Sequence, residues 1–229
     1  MEPRALDHVA LWVADRDTLA DFLCAHAGMH VVDRTDAFTL VGSDARRGKL
    51  TLFAAEGPRE PGPLERVVLR VFDLGRALDA LPAGLEVERS ENGVATFDAP
   101  EGLGLGLVEV PAAEVEYDID HVVLRVPDVR RASAGLAALG LTPEGDDRLV
   151  VGDKHVVLRP GPGGSGERPL LNHIALLVDS GQRDLDEARE RGVAIAEVRD
   201  AANTFAFFVW GPDGIKLEYV EHKPEFSLT

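Results

Sequence analysis

Four stretches of the chain alternate apolar and polar residues with period two over a β-rich composition: residues 6–13 (LDHVALWV), 64–71 (LERVVLRV), 119–126 (IDHVVLRV) and 171–178 (LNHIALLV). Such alternation predicts half-buried strands, with Val9, Leu11 and Val13 on one face and His8, Ala10 and Trp12 on the other. All four fit one pattern: apolar, Asp/Glu/Asn, His/Arg, β-branched, Ala/Val, Leu, any, Val. The third positions are His8, Arg66, His121 and His173, and their recurrence every ~55 residues marks an internal repeat. Each stretch precedes a helical pattern, at 15–27, 73–81, 128–139 and 180–191. Asp or Ser stands at the front of each as an N-cap, and Gly28, Gly84, Gly140 and Gly192 follow the ends. Two or three short strands come next, so the unit reads β-α-β-β-β, four times over.

The second and fourth units share a landmark. Residues 97–111 (FDAPEGLGLGLVEVP) align without a gap against the run from Val209 (VWGPDGIKLEYVEHK). Pro-acidic-Gly predicts a hairpin loop, a type I turn closed by a left-handed glycine. Counting outward pairs Gly211 with Ile215, sets Phe208 opposite Glu218, and sets Gly106 opposite Thr96 in the place Glu218 holds. Residues 111–117 (PAAEVEY) read as a linker. The expected fold is α+β, with four βαβββ modules forming two paired-module domains, residues 1–112 and 113–229, of curved, barrel-like mixed sheets.

Composition narrows the function. The 229 residues carry 24 Lys+Arg against 40 Asp+Glu, a formal charge of −16, with 45% hydrophobic residues. There is enough apolar material for a core, and an acidic surface repels phosphate backbones and anionic lipid, so neither nucleic acid nor membrane is an expected partner. A single cysteine, Cys24, makes neither an internal disulfide nor a thiolate cluster. The opening MEPRALDH lacks a signal-peptide pattern and no apolar run is long enough to span a bilayer. A cytoplasmic soluble protein is expected, with homo-oligomerisation left open.

Paired βαβββ modules with a histidine on the first strand and a glutamate on the last resemble the vicinal oxygen chelate superfamily. Over residues 5–222 the chain looks most like a two-domain type I extradiol ring-cleaving dioxygenase. The resemblance implies a non-haem Fe(II) site, with Mn(II) as the alternative, held in the C-terminal half by His121, His173 and Glu218. Two imidazoles and a carboxylate leave positions open for a chelating diol and O2. On this reading the first half keeps only His8, beside Thr51, Arg66 and Gly106, and His8 is expected to be structural. Glu109 aligns with Glu221, not with Glu218, and Glu221 and His222 are expected at the surface. A fourth carboxylate, as in glyoxalase I, is missing from module three, where Val156 and Val157 stand.

The resemblance also implies acid–base catalysis by His155, whose imidazole titrates near neutral pH. Two departures stand out: Phe208 where the family often has tyrosine, and Arg199 where it often has histidine. Phe208, Arg199, Asn203 and Thr204 are the expected substrate contacts, with Arg125 a further cation for the pocket. The run at 160–166 (PGPGGSG) reads as a lid or a connector. The expected reaction is cleavage of a catecholic ring beside its diol by O2. Two rivals are another metal-dependent enzyme of the superfamily, such as an isomerase or epimerase, and a metal-free ligand-binding resistance protein.

Overall fold

The computed structural model describes residues 1–60, 62–163, 168–224, 226 and 228. Module one comprises β1 (Ala5–Val13), α1 (Arg16–His26), β2 (His30–Arg34), β3 (Phe38–Asp44) and β4 (Arg47–Ala54); module two comprises β5 (Leu64–Val71), α2 (Leu74–Asp79), β6 (Glu88–Arg89), β7 (Ala95–Asp98) and β8 (Gly104–Glu109). Module three runs through β9 (Ile119–Val126), α3 (Val129–Ala138), β10 (Thr142–Pro143), β11 (Arg148–Val151) and β12 (Lys154–Pro160). Module four follows with β13 (Leu171–Leu177), α4 (Gly181–Glu190), β14 (Ile195–Asp200), β15 (Thr204–Trp210) and β16 (Lys216–His222). The four expected modules are therefore present.

Local chemistry starts each helix where the pattern predicts. Asp15 accepts from the N–H groups of Asp17 and Thr18 at 3.1 and 3.0 Å, Asp73 from Arg76 at 2.9 Å, Asp128 from Arg131 at 3.0 Å and Ser180 from Arg183 at 3.4 Å. Each satisfies a helix N–H that would otherwise lack a partner. The hairpin registers also match: Gly211 N–H donates to the Ile215 carbonyl at 2.8 Å, Phe208 faces Glu218 and Thr96 faces Gly106. The turn itself differs from a type I turn. Asp213 and Gly214 are both left-handed, at φ 55° and 76°, as are Glu101 and Gly102 at 64° and 72°. Two left-handed residues in succession give the mirror-image turn whose twist matches that of the flanking strands.

Strand pairing departs from expectation. One eight-stranded sheet runs β14-β15-β16-β13-β1-β4-β3-β2 and the other β10-β11-β12-β9-β5-β8-β7-β6. Each joins two modules through an antiparallel pair of first strands, β1 with β13 and β5 with β9. Module one thus pairs with module four, and module two with module three, so residues 1–112 and 113–229 are not the units that the strands make. The linker explains the inner pair. It runs back along β5, with Tyr117 N–H donating to the Arg70 carbonyl at 2.6 Å and Arg70 N–H to the Asp118 carbonyl at 2.8 Å, which delivers β9 antiparallel beside β5. Both sheets are open, with no pairing between their edge strands among the described residues.

One continuous core joins the two sheets and the helices. Val9, Leu11 and Val13 from β1 are fully buried in it, as are Val122, Leu124 and Val126 from β9. A buried ion pair ties the sheets together: Lys154 donates to Asp118 at 2.6 Å and to the Leu6 carbonyl on β1 at 3.1 Å. No helix among the described residues is long and apolar enough to cross a membrane.

Candidate metal centre

The opposite face of β1 carries His8, Ala10 and Trp12, and the sheet register decides what they meet. Antiparallel pairing sets Ala10 against His173 and His8 against Ala175, while β16 runs parallel to β13 with Glu218 beside Ala175. Three ligand-type side chains converge. His173 Nε2 lies 2.9 Å from Glu218 Oε2, His8 Nε2 lies 3.3 Å from the same oxygen, and the two imidazole nitrogens are 3.2 Å apart. His173 is 5% and Glu218 7% exposed. Within the described residues these three form the one cluster of His, Cys, Asp or Glu donors close enough to share an ion.

His173 and Glu218 are thus brought together as expected, and His121 is not with them. It lies on β9 in the other sheet, opposite Val68 and beside His155, with its Nδ1 2.6 Å from Asp120. The third donor is His8, expected to be structural. The reason is the pairing: the first-strand histidine that meets His173 belongs to the module paired with module four, which is module one. His155 falls with His121. It is half-buried on β12 against the Arg148 guanidinium, and burial, with that cation beside it, lowers its pKa. It has no access to the triad, so the acid–base role expected of it is not supported.

A local device orients each ring. The preceding side chain reaches Nδ1 of its neighbour: Asp7 to His8 at 2.8 Å, Asn172 to His173 at 3.0 Å and Asp120 to His121. Occupying Nδ1 leaves Nε2 as the donor, the arrangement that fixes an imidazole for a metal. Asp7 is 3% exposed and is itself held by Lys49 Nζ at 2.9 Å and by His222 Nε2 at 3.0 Å. His222, expected at the surface, is therefore an inner residue, 8% exposed at its side chain. Glu221 and Glu109 do share a role, accepting from the first N–H of α4 at 2.8 Å and of α2 at 2.9 Å.

The electrostatics suit a cation. Burial pushes the Glu218 carboxyl up, and His173 and His8 beside it outweigh burial and hold it far below the usual carboxylate range. Burial would lower the His8 pKa, but its hydrogen bonds to Asp7 and Glu218 raise it to about 9. His173 is lowered, burial prevailing over Glu218. Without an ion, the cluster holds itself together by keeping a proton on His8 beside an ionised Glu218.

The fourth vertex has no ligand charge. Thr51 on β4 lies beside Ala10 just as Glu218 lies beside Ala175, so Thr51 stands where a second carboxylate would complete a four-ligand site. A cavity of about 430 Å³ opens above the triad, with Phe38, Phe53 and Phe208 among its walls. The expected contacts Phe208, Arg199, Asn203 and Thr204 all line it. The Phe208 ring packs edge-on against His173 at 5.2 Å, and the Arg199 guanidinium lies 5.5 Å from the Phe208 ring centre. Phe226, beyond the last strand, adds a wall and stacks on His222 at 4.3 Å. Arg125 is elsewhere, paired with Glu65 at 2.8 Å in the other sheet. The run at 160–166 lies partly outside the described residues.

Residues 5–102 match the model of the Glyoxalase/Bleomycin resistance protein/Dioxygenase superfamily. Among solved structures, a candidate dioxygenase of Bacillus subtilis shares the fold over 98% of this chain and 87% of its own, with a TM-score of 0.80 at 18% identity. Glyoxalase I of Zea mays aligns over 94% of this chain and 92% of its own at a TM-score of 0.72 and 18% identity. The cppA protein of Streptococcus pneumoniae aligns over 96% and 98% at 0.65 and 14%. No protein of curated function matches the sequence.

Proposed function

We propose that this chain, which belongs to the glyoxalase/bleomycin resistance protein/dioxygenase superfamily, is a non-haem Fe(II)-dependent dioxygenase that opens a catecholic ring beside its diol with O2. Mn(II) is the alternative ion. The observation that carries the reading is the donor set: His8, His173 and Glu218 converge, and a neutral Thr51 takes the fourth place. Three protein ligands leave adjacent positions for two further molecules, whereas a four-ligand site favours isomerase chemistry. Bound there, iron would supply a Lewis-acidic, redox-active centre able to hold a diol and O2 side by side.

The chain's own residues do the rest. Asp7 and Asn172 fix the two imidazoles so that both Nε2 atoms face the cavity. Phe38, Phe53 and Phe208 form apolar walls suited to a flat ring and exclude water from it. Arg199, Asn203 and Thr204 border the same space and supply polar contacts to ring substituents. The acid–base role moves to His222, which lines the cavity and is held by Asp7. Its proton would be exchanged with the substrate hydroxyls.

Oxygen uptake by anaerobically iron-loaded protein, measured with a panel of catechols, tests the reading. Uptake with ring-opened product is expected. Bound metal without uptake on any catechol would favour an isomerase or epimerase, and protein that binds neither iron nor manganese would favour a metal-free binding protein.

A further inference from the structure

Beyond the metal triad, the trough continues along the same strands. The next same-face position after Ala10 on β1 is Trp12, after Phe208 on β15 it is Trp210, and before Glu218 on β16 it is Lys216. These three line a separate cleft of about 330 Å³, together with Arg168, Asn172 and Asp213. The chain has two tryptophans, and both face this cleft. Trp210 is 59% exposed, the largest exposure of any large apolar residue described. The cleft begins one side-chain layer from the triad: Trp12 packs on Phe53 at 5.4 Å, Phe53 lies 6.3 Å from the His173 ring, and Asn172 binds His173 directly.

Its charges are ordered. The Arg168 guanidinium lies 5.0 Å from the Trp12 ring centre and Lys216 Nζ lies 5.8 Å from that of Trp210. Lys216 is shared with Glu197 at 3.6 Å. Asp213 is bound through Oδ1 by Arg131, and its side chain is 8% exposed. Its Oδ2 has no hydrogen-bond partner among the described residues. The cleft therefore offers two indole rings, with the Arg168 cation over one and the Lys216 cation near both the other and the Phe208 ring, 4.4 Å from the latter.

We infer that this cleft is a second recognition subsite that takes an arene or alkyl arm ending in a carboxylate. In a protein of net charge −16, an anionic group is repelled from most of the surface, and two cations set over apolar rings give it a local site. The assignment rests on the triad reading in one respect, that the arm belongs to the substrate whose diol reaches the metal: the preferred substrate is then an aromatic diol with an acidic side chain.

Tryptophan emission reads the cleft directly and needs no metal. Metal-free protein titrated with 3-phenylpropanoate is expected to show saturable quenching, about tenfold tighter than with 3-phenylpropan-1-ol. Arg168→Ala should erase the preference for the acid, and His173→Ala should keep it. Equal binding of acid and alcohol by the wild type, or an unaltered preference in Arg168→Ala, overturns the subsite. Oxygen uptake by iron-loaded protein separates the two failures. A normal tryptophan response with no uptake on any catechol sinks ring cleavage and leaves the cleft; uptake on plain catechol with no preference for the acid sinks the cleft and leaves ring cleavage.

Discussion

The two sheets are built from modules of the same kind with their strands in the same order, yet their corresponding positions hold different chemistry. Where the first sheet places His8, Thr51, His173 and Glu218, the second places Arg66, Gly106, His121 and Val157, by the same register across its central pair. One potential ligand remains there. The space is used for packing and ion pairs instead: a side chain at Gly106 would press on Val68 and Val94 at 3.0 and 3.2 Å, and Glu65 gathers Arg125 and Arg159 at 2.8 and 3.0 Å. His121 sits beside Asp120, whose carboxyl burial pushes up but His121 and Arg70 bring down to about 2. Beside His155 and Asp120, His121 makes no cluster of three donors close enough to share an ion among the described residues. One scaffold thus serves two ends, with convergent donors in one sheet and structural ion pairs in the other.

The largest expected effect breaks the first sheet's site. His173→Ala should lower bound iron from one per chain to trace and reduce oxygen uptake at least ~100-fold, since two donors hold a divalent ion poorly. His155→Ala, in the other sheet, should change neither quantity; elemental analysis and an oxygen electrode measure both. Next in size is a buried ion pair of the second sheet. Lys154→Met strands the Asp118 carboxylate, 2% exposed, and should cost ~3–5 kcal/mol in chemical denaturation. Lys49→Met should cost less, because Asp7 keeps His8 and His222.

Proton linkage sharpens the contrast further. His8 is raised from 6.5 to about 9, so its contribution to metal-free stability is complete below pH 6.5 and fades as pH rises through 9. Glu218 is depressed, so its contribution is present above its ordinary pKa of 4.5 and is lost in acid. An entering ion must displace the His8 proton, so metal affinity should rise by about tenfold per pH unit from 7 towards 9 and level off above. Calorimetric titration at pH 7 and 8 measures it; a flat profile would mean that His8 is not a ligand. Asp7→Asn should weaken metal affinity by roughly 10- to 100-fold through loss of ring orientation. The smallest effect lies far from either site, where Asp128→Ala should cost ~1 kcal/mol by uncapping α3.

Much of this was legible along the chain, because the legible parts are local. Alternation marks β1, β5, β9 and β13, the caps Asp15, Asp73, Asp128 and Ser180 mark the helices, and hairpin counting sets Phe208 against Glu218. The lining residues Phe208 and Arg199 come from the family resemblance, with Asn203 and Thr204 as the polar residues near them, and His173 and Glu218 belong to one module. His8 against His121 is a different problem. LDHV and IDHV are nearly the same sequence, with the same strand, the same face and the same acidic partner for Nδ1. Which one meets His173 depends on how modules pair across more than 160 residues, and no short-range pattern encodes that. His155 was misplaced by the same step. The linker held a clue only in three dimensions, where residues 117 and 118 bond back to Arg70.

Iron content of anaerobically purified His8→Ala and His121→Ala, measured beside wild type, tests the central claim most directly. Stoichiometric iron in wild type and His121→Ala, with only trace iron in His8→Ala, is the expected result. Iron retained in His8→Ala and lost in His121→Ala would contradict the centre formed by modules one and four.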